Sequence, residues 1–426
     1  MRRGTFAETV HIERADGVDR MIYHAPPDVV LEPGTTLRTD LYDERQILDA
    51  LTRRGLAAAA LGPSPEEFYY WTAPALGGRI AAVQNDGMAE MVRSHPDRFV
   101  GLATLPMQDP ERAARELERA VTELGLRGAE ICTHINGRDL DHPSLHPVYA
   151  AAERLGVPLF LHPQNWGDMR RLQNYHLWNL VGFPTETALA ASRLIVGGVF
   201  EAFPGLKVIL AHGGGYLPYQ VGRLDHGYDA RREVHDRLPR RPSEYLGNLY
   251  CDSLTHSHLS LRFLVDRIGE DRVVVGSDYP FDMGDQTPVE TVRALHLGSD
   301  VEAKILSRNL AALLGVGPAP STRTSSPARS RPSPPRTGGR RPARARRRDA
   351  ESGRPRASQS WRRGSPRSRR SPRTRRQAPS RGRARHRARA SARCRAHRPP
   401  RQTSPCGGRA RGGSAGRPRT ASRHAR

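Results

Sequence analysis

From about Leu56 to Gly317, this chain alternates short apolar runs with amphipathic helical stretches, and no other feature restricts its fold as strongly. The apolar runs are Leu56-Ala-Ala-Ala-Ala-Leu61, Phe99-Val-Gly-Leu-Ala103, Gly128-Ala-Glu-Ile-Cys132, Pro158-Leu-Phe-Leu161, Lys207-Val-Ile-Leu-Ala211, Leu249-Tyr-Cys251 and Arg272-Val-Val-Val-Gly276. Each is short enough for a buried strand and too short for a helix. The segments between them carry helix punctuation. The stretch from Pro110 to Leu124 has Asp109 as N-cap, proline at its first position and Gly125 as its stop. Ser144 to Leu155 ends at Gly156, and Glu186 to Phe203 closes at Pro204-Gly205. Strands separated by helices of this length pair in parallel. Seven such units point to a (β/α)8 barrel rather than an open sheet, over one domain, 55–317. The eighth strand would come first and would lie before Arg2. The expectation is therefore a barrel lacking its first strand, behind a truncated N-terminal region, 1–54. Within that region Thr9 to Leu37 reads as a loop or small hairpin, with turn signals at Asp16-Gly17 and Pro33-Gly34.

Three polar residues end three of these runs. His162 follows Pro158–Leu161, His212 follows Val208–Ala211, and Asp278 follows Val273–Ser277. In a barrel of this kind the C-terminal strand ends carry the chemistry, so the three would face one pocket. Two imidazoles and a carboxylate suit a divalent metal. Each also has a plainer reading. His212 opens a glycine-rich turn, His-Gly-Gly-Gly215. Asp278 could cap the next helix, although an unpaired carboxylate ending an apolar strand would be costly. His162 could be an ordinary loop histidine before a proline. His134, His142, His146, His176, His256 and His258 are placed in solvent-facing loops or helix starts. Phe68-Tyr-Tyr-Trp71 either lines a pocket for a planar ligand or packs a loop.

The formal charge of +24 conceals two regions. Pro318 to Arg426 holds 35 arginines and two acids, Asp349 and Glu351, a net of +33, which leaves −9 on Met1 to Gly317. The segment 318–426 has almost no aliphatic residue larger than alanine, so a disordered tail is expected. Its composition is also that of off-frame translation of GC-rich DNA. Nucleic acid would bind such a polycation without sequence specificity. Four cysteines without paired spacing read as reduced thiols of a cytoplasmic protein. No apolar run reaches 18 residues, and no signal-peptide pattern opens the chain, so neither membrane insertion nor secretion is expected.

Six segments together carry a resemblance: Arg98-Phe-Val-Gly-Leu-Ala103, Leu161-His-Pro163, Phe203 to Gly215, Gly222-Arg-Leu-Asp-His226, Arg272 to Phe281 and Ile305-Leu-Ser-Arg-Asn-Leu310. In these the chain resembles the amidohydrolase-related family, in its aminocarboxymuconate-semialdehyde decarboxylase-like branch. The resemblance implies a distorted metal-dependent (β/α)8 barrel acting on a small carboxylate substrate. It also implies metal ligation by His162 and Asp278, usually of zinc, with manganese or magnesium as alternatives. His212 would be the acid–base group. Arg223 would hold a substrate carboxylate, the task its bidentate guanidinium suits, with Trp178 and Phe281 as further substrate contacts. A homodimer is a further implication. The implied reaction is decarboxylation of an aromatic or unsaturated acid; hydrolysis of an ester, lactone or amide is the alternative. One departure stands out. The family's first strand carries a His-x-His pair, whereas His11 and His24 here stand apart. The second alternative is accordingly an inactive copy, or one whose binding is that of its basic tail.

Overall fold

A computed structural model describes residues 6, 10–15, 18–24, 35–36, 38–164 and 171–317. The tail 318–426 and the first half of the loop 165–178 lie outside the described residues. Near the start, β1 (Val10–Ala15) and β2 (Val18–Tyr23) form an antiparallel hairpin with Val10 opposite Tyr23, as the turn signals predict.

The alternating pattern becomes a parallel sheet. Its strands are β3 (Ala59–Leu61), β4 (Phe99–Gly101), β5 (Ala103–Thr104), β6 (Ala129–Cys132), β7 (Leu159–His162), β8 (Val208–Leu210), β9 (Leu249–Asp252) and β10 (Val273–Val274). From β5 to β10 each strand pairs in parallel with its predecessor in the chain. β4 pairs with β3, and the run 99–104 is continuous. Leu102 N–H donates to Leu61 O at 2.8 Å while Ala103 N–H donates to Gly128 O at 2.9 Å, which stitches the two pieces together. All four residues of β6 are buried, as in a strand covered on both faces.

The helices cover this sheet. α1 (Glu44–Arg53) precedes β3, and α2 (Pro74–Ser94) follows it. In α3 (Pro110–Thr122) Asp109 caps the first turn by accepting from Arg112 N–H. Ala113, Leu117 and Ala120, spaced four and three apart, form its buried face. Removing the Leu117 side chain from water contributes about 1.5–3 kcal/mol. That face packs on α4 (His146–Leu155), which ends at Gly156 in the left-handed conformation, φ 68°. The predicted 186–203 helix is shifted and interrupted. α5 spans Phe183–Val196 and stops at Gly197-Gly198, where Gly198 has φ 79°; a separate turn, Val199–Ala202, follows. α6 (Leu217–Ala230) and α7 (His258–Ile268) complete the cover over β8 and β9.

Among the described residues, the outer edges of β3 and β10 have no strand partner. Both strands line one cavity of about 1120 Å³.

Candidate active site

The C-terminal ends of β7, β8 and β10 bring His162, His212 and Asp278 together. One donor atom from each lies within 4.8 Å of the others. His162 is the last residue of β7, 8% exposed. His212 lies two residues past β8 and Asp278 four past β10. Both adopt left-handed backbone conformations, φ 57° and 51°, which non-glycine residues adopt only when their surroundings impose it.

What imposes it at His212 is Asp252, at the end of β9, a residue the sequence reading passed over. Its carboxylate accepts from His212 N–H at 2.9 Å, Gly213 N–H at 2.7 Å and Leu254 N–H at 3.0 Å. The glycines after His212 are required by close packing: a Cβ on Gly215, where φ is 60°, would lie 2.1 Å from Pro184 O. Burial raises Asp252 to about 6, against the pull of those three N–H groups.

The electrostatics separate the two imidazoles. His162 Nδ1 is 2.8 Å from Pro163 O, so that nitrogen carries the proton and Nε2 is left as the acceptor. Nε2 is buried without a hydrogen-bond partner, 3.6 Å from Asp278 Oδ1. Burial works against the charged form of His162, but the nearby Asp278 and Glu130 outweigh it, and the ring's pKa is raised. His212 Nε2 is 4.0 Å from Asp278 Oδ2. Burial first, and then the charge of His162, push His212 down to about 3. His212 is therefore a neutral imidazole near pH 7, while Asp278 is ionised. Burial would raise Asp278, but the contact with His162 and the charge of that ring hold it below the ordinary carboxylate value.

Two nitrogens and one carboxylate oxygen, with a buried Nε2 lacking a partner, are a donor set that fits a divalent metal. His11 and His24 stack on each other in the hairpin, ring centroids 5.0 Å apart, and do not join this set.

The aromatic surroundings are partly as expected. Phe281 lines the cavity. Trp178 reaches the centre through Phe183, 5.2 Å away, whose ring stacks on His212 at 6.3 Å and 10°. Phe183 gave no sequence signal, because its position follows from where α5 begins. Arg223 lies on α6 with an exposed side chain outside the cavity lining, so one chain does not bring it to the other three. Arg38, also outside the cavity lining, contacts the segment after Asp278. The Arg38 guanidinium donates to Pro280 O at 2.5 Å and to Asp40, and sits 5.9 Å from the Phe281 ring centroid. Phe68-Tyr-Tyr-Trp71 resolves as packing: Phe68 and Tyr70 stack at 5.3 Å in the core, and none of the four lines the cavity. Of the remaining histidines, His142, His176, His256 and His258 are exposed, whereas His146 packs edge-on against Phe203.

A profile of the amidohydrolase family matches residues 42–316, a stretch that contains all of β3 to β10 and the three site residues. The chain belongs to the amidohydrolase family. It is 38% identical over 282 residues to a 2-amino-3-carboxymuconate-6-semialdehyde decarboxylase of Dictyostelium discoideum, covering 66% of this chain and 79% of that one. A gamma-resorcylate decarboxylase from a Polaromonas species is 38% identical over 225 residues, 46% of this chain and 65% of that protein. Among solved structures, a 5-carboxyvanillate decarboxylase of Novosphingobium aromaticivorans, complexed with manganese and a nitrobenzoic acid, superposes with a TM-score of 0.61. It is 28% identical and covers 65% of this chain and 81% of its own. These relatives give this amidohydrolase its barrel fold and identify the parallel sheet as the barrel wall. No described helix is long and apolar enough to cross a membrane.

Proposed function

We propose that this amidohydrolase is a metal-dependent carboxy-lyase acting on a small aromatic or unsaturated carboxylic acid. The observation that carries the reading is the meeting of His162, His212 and Asp278 within 4.8 Å at the strand ends, in a chain whose matched relatives are decarboxylases. His162 and Asp278 would hold the divalent ion: zinc, manganese or magnesium. Bound there, the ion supplies a Lewis acid. His212, its backbone N–H clamped by Asp252, relays a proton drawn from solvent water to the carbon that bears the carboxylate. That carbon becomes tetrahedral, its bond to the carboxylate breaks, and the electron pair returns to the ring or diene as carbon dioxide leaves. Phe183 and Phe281 give the substrate an apolar wall. Arg38 offers the carboxylate a counter-charge within one chain, and Arg223 is kept as the second candidate for that task.

The test is direct. The purified chain is dialysed against manganese or zinc, its metal content is measured, and carbon dioxide release is followed with 2,6-dihydroxybenzoate and related acids. About one ion per chain and metal-dependent carbon dioxide release are expected. Cleavage of esters or lactones with no carbon dioxide release would move the chain to the hydrolase alternative.

A further inference from the structure

Arg54 is a buried cation for which the mechanism above has no use. It caps the C-terminus of α1, shortly before β3, and is 7% exposed. Its guanidinium nevertheless reaches the other flank of the unpaired seam, the loop that follows β10. Nη2 donates to Gln286 Oε1 at 2.5 Å and Nε to Asp285 O at 3.3 Å, while Nη1 lies 3.5 Å from Ala50 O in its own helix. The guanidinium also sits 4.9 Å from the centroid of the Tyr279 ring. The shorter contacts go to the loop, so a helix cap is not its main task. All three acceptors are neutral oxygens. The Asp285 carboxylate is engaged by Thr287 N–H at 2.8 Å and by the Thr291 hydroxyl at 2.7 Å. Burying a guanidinium on neutral partners is costly, but its rigid fork can fix a loop at two points at once.

The loop it holds is the one that Asp278 opens. From there the chain folds back on itself. Phe281 N–H donates to Asp278 O at 3.0 Å, Gly284 N–H to Phe281 O at 3.0 Å, and Asp285 N–H to Ser277 O at 2.9 Å. Asp285 thus returns to the residue before Asp278, and a grip on Asp285 is a grip on the base of the loop. The turn is tight: a Cβ on Gly284 would lie 2.6 Å from Ser277 O and 2.7 Å from Asp278 O. Tyr279, under the guanidinium, also packs against the cluster of Ile47, Leu51 and Phe99. Asp278 itself has φ 51°, a conformation that persists only where the surroundings over-determine it. The outer edge of β10 offers little of that support. Asn309 Nδ2 meets Val273 O at 2.8 Å and Ile305 O meets Val275 N–H at 2.9 Å, and these edge contacts stop at Val275. Arg38 adds one bond to the loop at Pro280 O but spends its fork on Asp40.

We propose that Arg54 is the positioning residue of Asp278: by tying α1 to the loop 279–286, it holds the Asp278 carboxylate beside His162. The inference rests on the carboxy-lyase reading for the metal that this carboxylate would take. Arg54 touches neither substrate nor metal; it acts through the backbone of the loop.

Two readouts are taken on the full chain: hydrogen exchange in EDTA, over peptides that cover 278–286, and manganese affinity by calorimetry. Arg54→Met, which keeps the length and removes the fork, should speed exchange in 278–286 and weaken manganese binding, each by about tenfold or more. Arg54→Lys keeps the charge but cannot span two acceptors, so it should recover only part of either. Gln286→Ala, at an exposed position, should move both readouts the same way by less, and adding it to Arg54→Met should change little further. It carries the test if Arg54→Met does not fold. Leu117→Ala is the control for stability loss elsewhere and should move neither readout in the folded chain. Exchange that speeds throughout the chain, or a lower unfolding midpoint with manganese affinity unchanged, makes Arg54 a scaffold residue and overturns the proposal. A native chain that binds no manganese overturns the carboxy-lyase reading instead. The exchange readout then decides Arg54 by itself: acceleration confined to 278–286 upholds its hold on the loop, and no acceleration there overturns it.

Discussion

A carboxylate forty positions further along the chain fixes the backbone of His212 in its left-handed turn. Asp252→Asn would put an amide N–H₂ where one of three backbone N–H donors now finds an oxygen. The expected result is a stability loss of about 1–3 kcal/mol, read from denaturant unfolding, and a lower kcat at unchanged manganese content. His212→Asn should leave metal content and unfolding midpoint in place while lowering kcat by about 10²–10⁴-fold. Glu130 supplies a prediction with a definite sign. Burial holds its proton up to about pH 8, against an ordinary value of 4.5. Between these values the unfolded chain has lost a proton that the folded chain keeps, so stability falls as pH rises. In EDTA, the melting temperature of the native chain should fall from pH 5 to 8 more steeply than that of Glu130→Gln. The difference between the two isolates this carboxyl from Asp252 and the histidines. His162, His212 and Asp278 were legible in the sequence because strand ends are marked by the apolar runs before them. Asp252, Glu130 and Phe183 were not, because their roles depend on what strands and helices bring from far along the chain: His212 is 29 residues from Phe183 and 40 from Asp252.

The strands and the α3 cap were legible because their signals are local: an apolar run bounded by glycine or proline, and an aspartate before Pro110. The 186–203 helix was legible only in part. Its apolar spacing continues through Gly197-Gly198, but the positive φ at Gly198 ends the helix there. At the other end the helical backbone starts earlier, as a π-helical segment over Trp178–Gly182 that runs into α5, and this places Phe183 against His212. The α5 start and the glycine turn after β8 are in close contact, and this element pair yields its own prediction. Gly215→Ala would set a Cβ 2.1 Å from Pro184 O in a backbone region that disfavours side chains. The variant should lose about 1–3 kcal/mol and show kcat reduced beyond what its stability loss explains, because the same turn carries His212. Gly222→Ala, inside α6 where a Cβ meets nothing within 4 Å, is the control: it should leave kcat unchanged and raise stability by about 0.5–1 kcal/mol.

At the scale of the molecule, charge separates the body, −9, from the segment after Gly317, +33. Binding to duplex DNA should weaken steeply between 50 and 200 mM salt, about as counterion release requires, and should vanish on truncation at Pro318. Manganese content and carbon dioxide release should survive that truncation, since every site residue named above precedes Pro318. The pairing order of the sheet has a kinetic meaning. From β6 onward each strand of the wall docks on the wall strand made before it, so the wall can grow as the chain emerges from the ribosome. Asp278, however, arrives more than a hundred residues after His162. A nascent chain therefore assembles most of its wall before the second of the two metal-holding residues exists. A cation held by His162 and Asp278 would then be a late arrival in biogenesis, loaded into a body already built rather than the nucleus around which it folds.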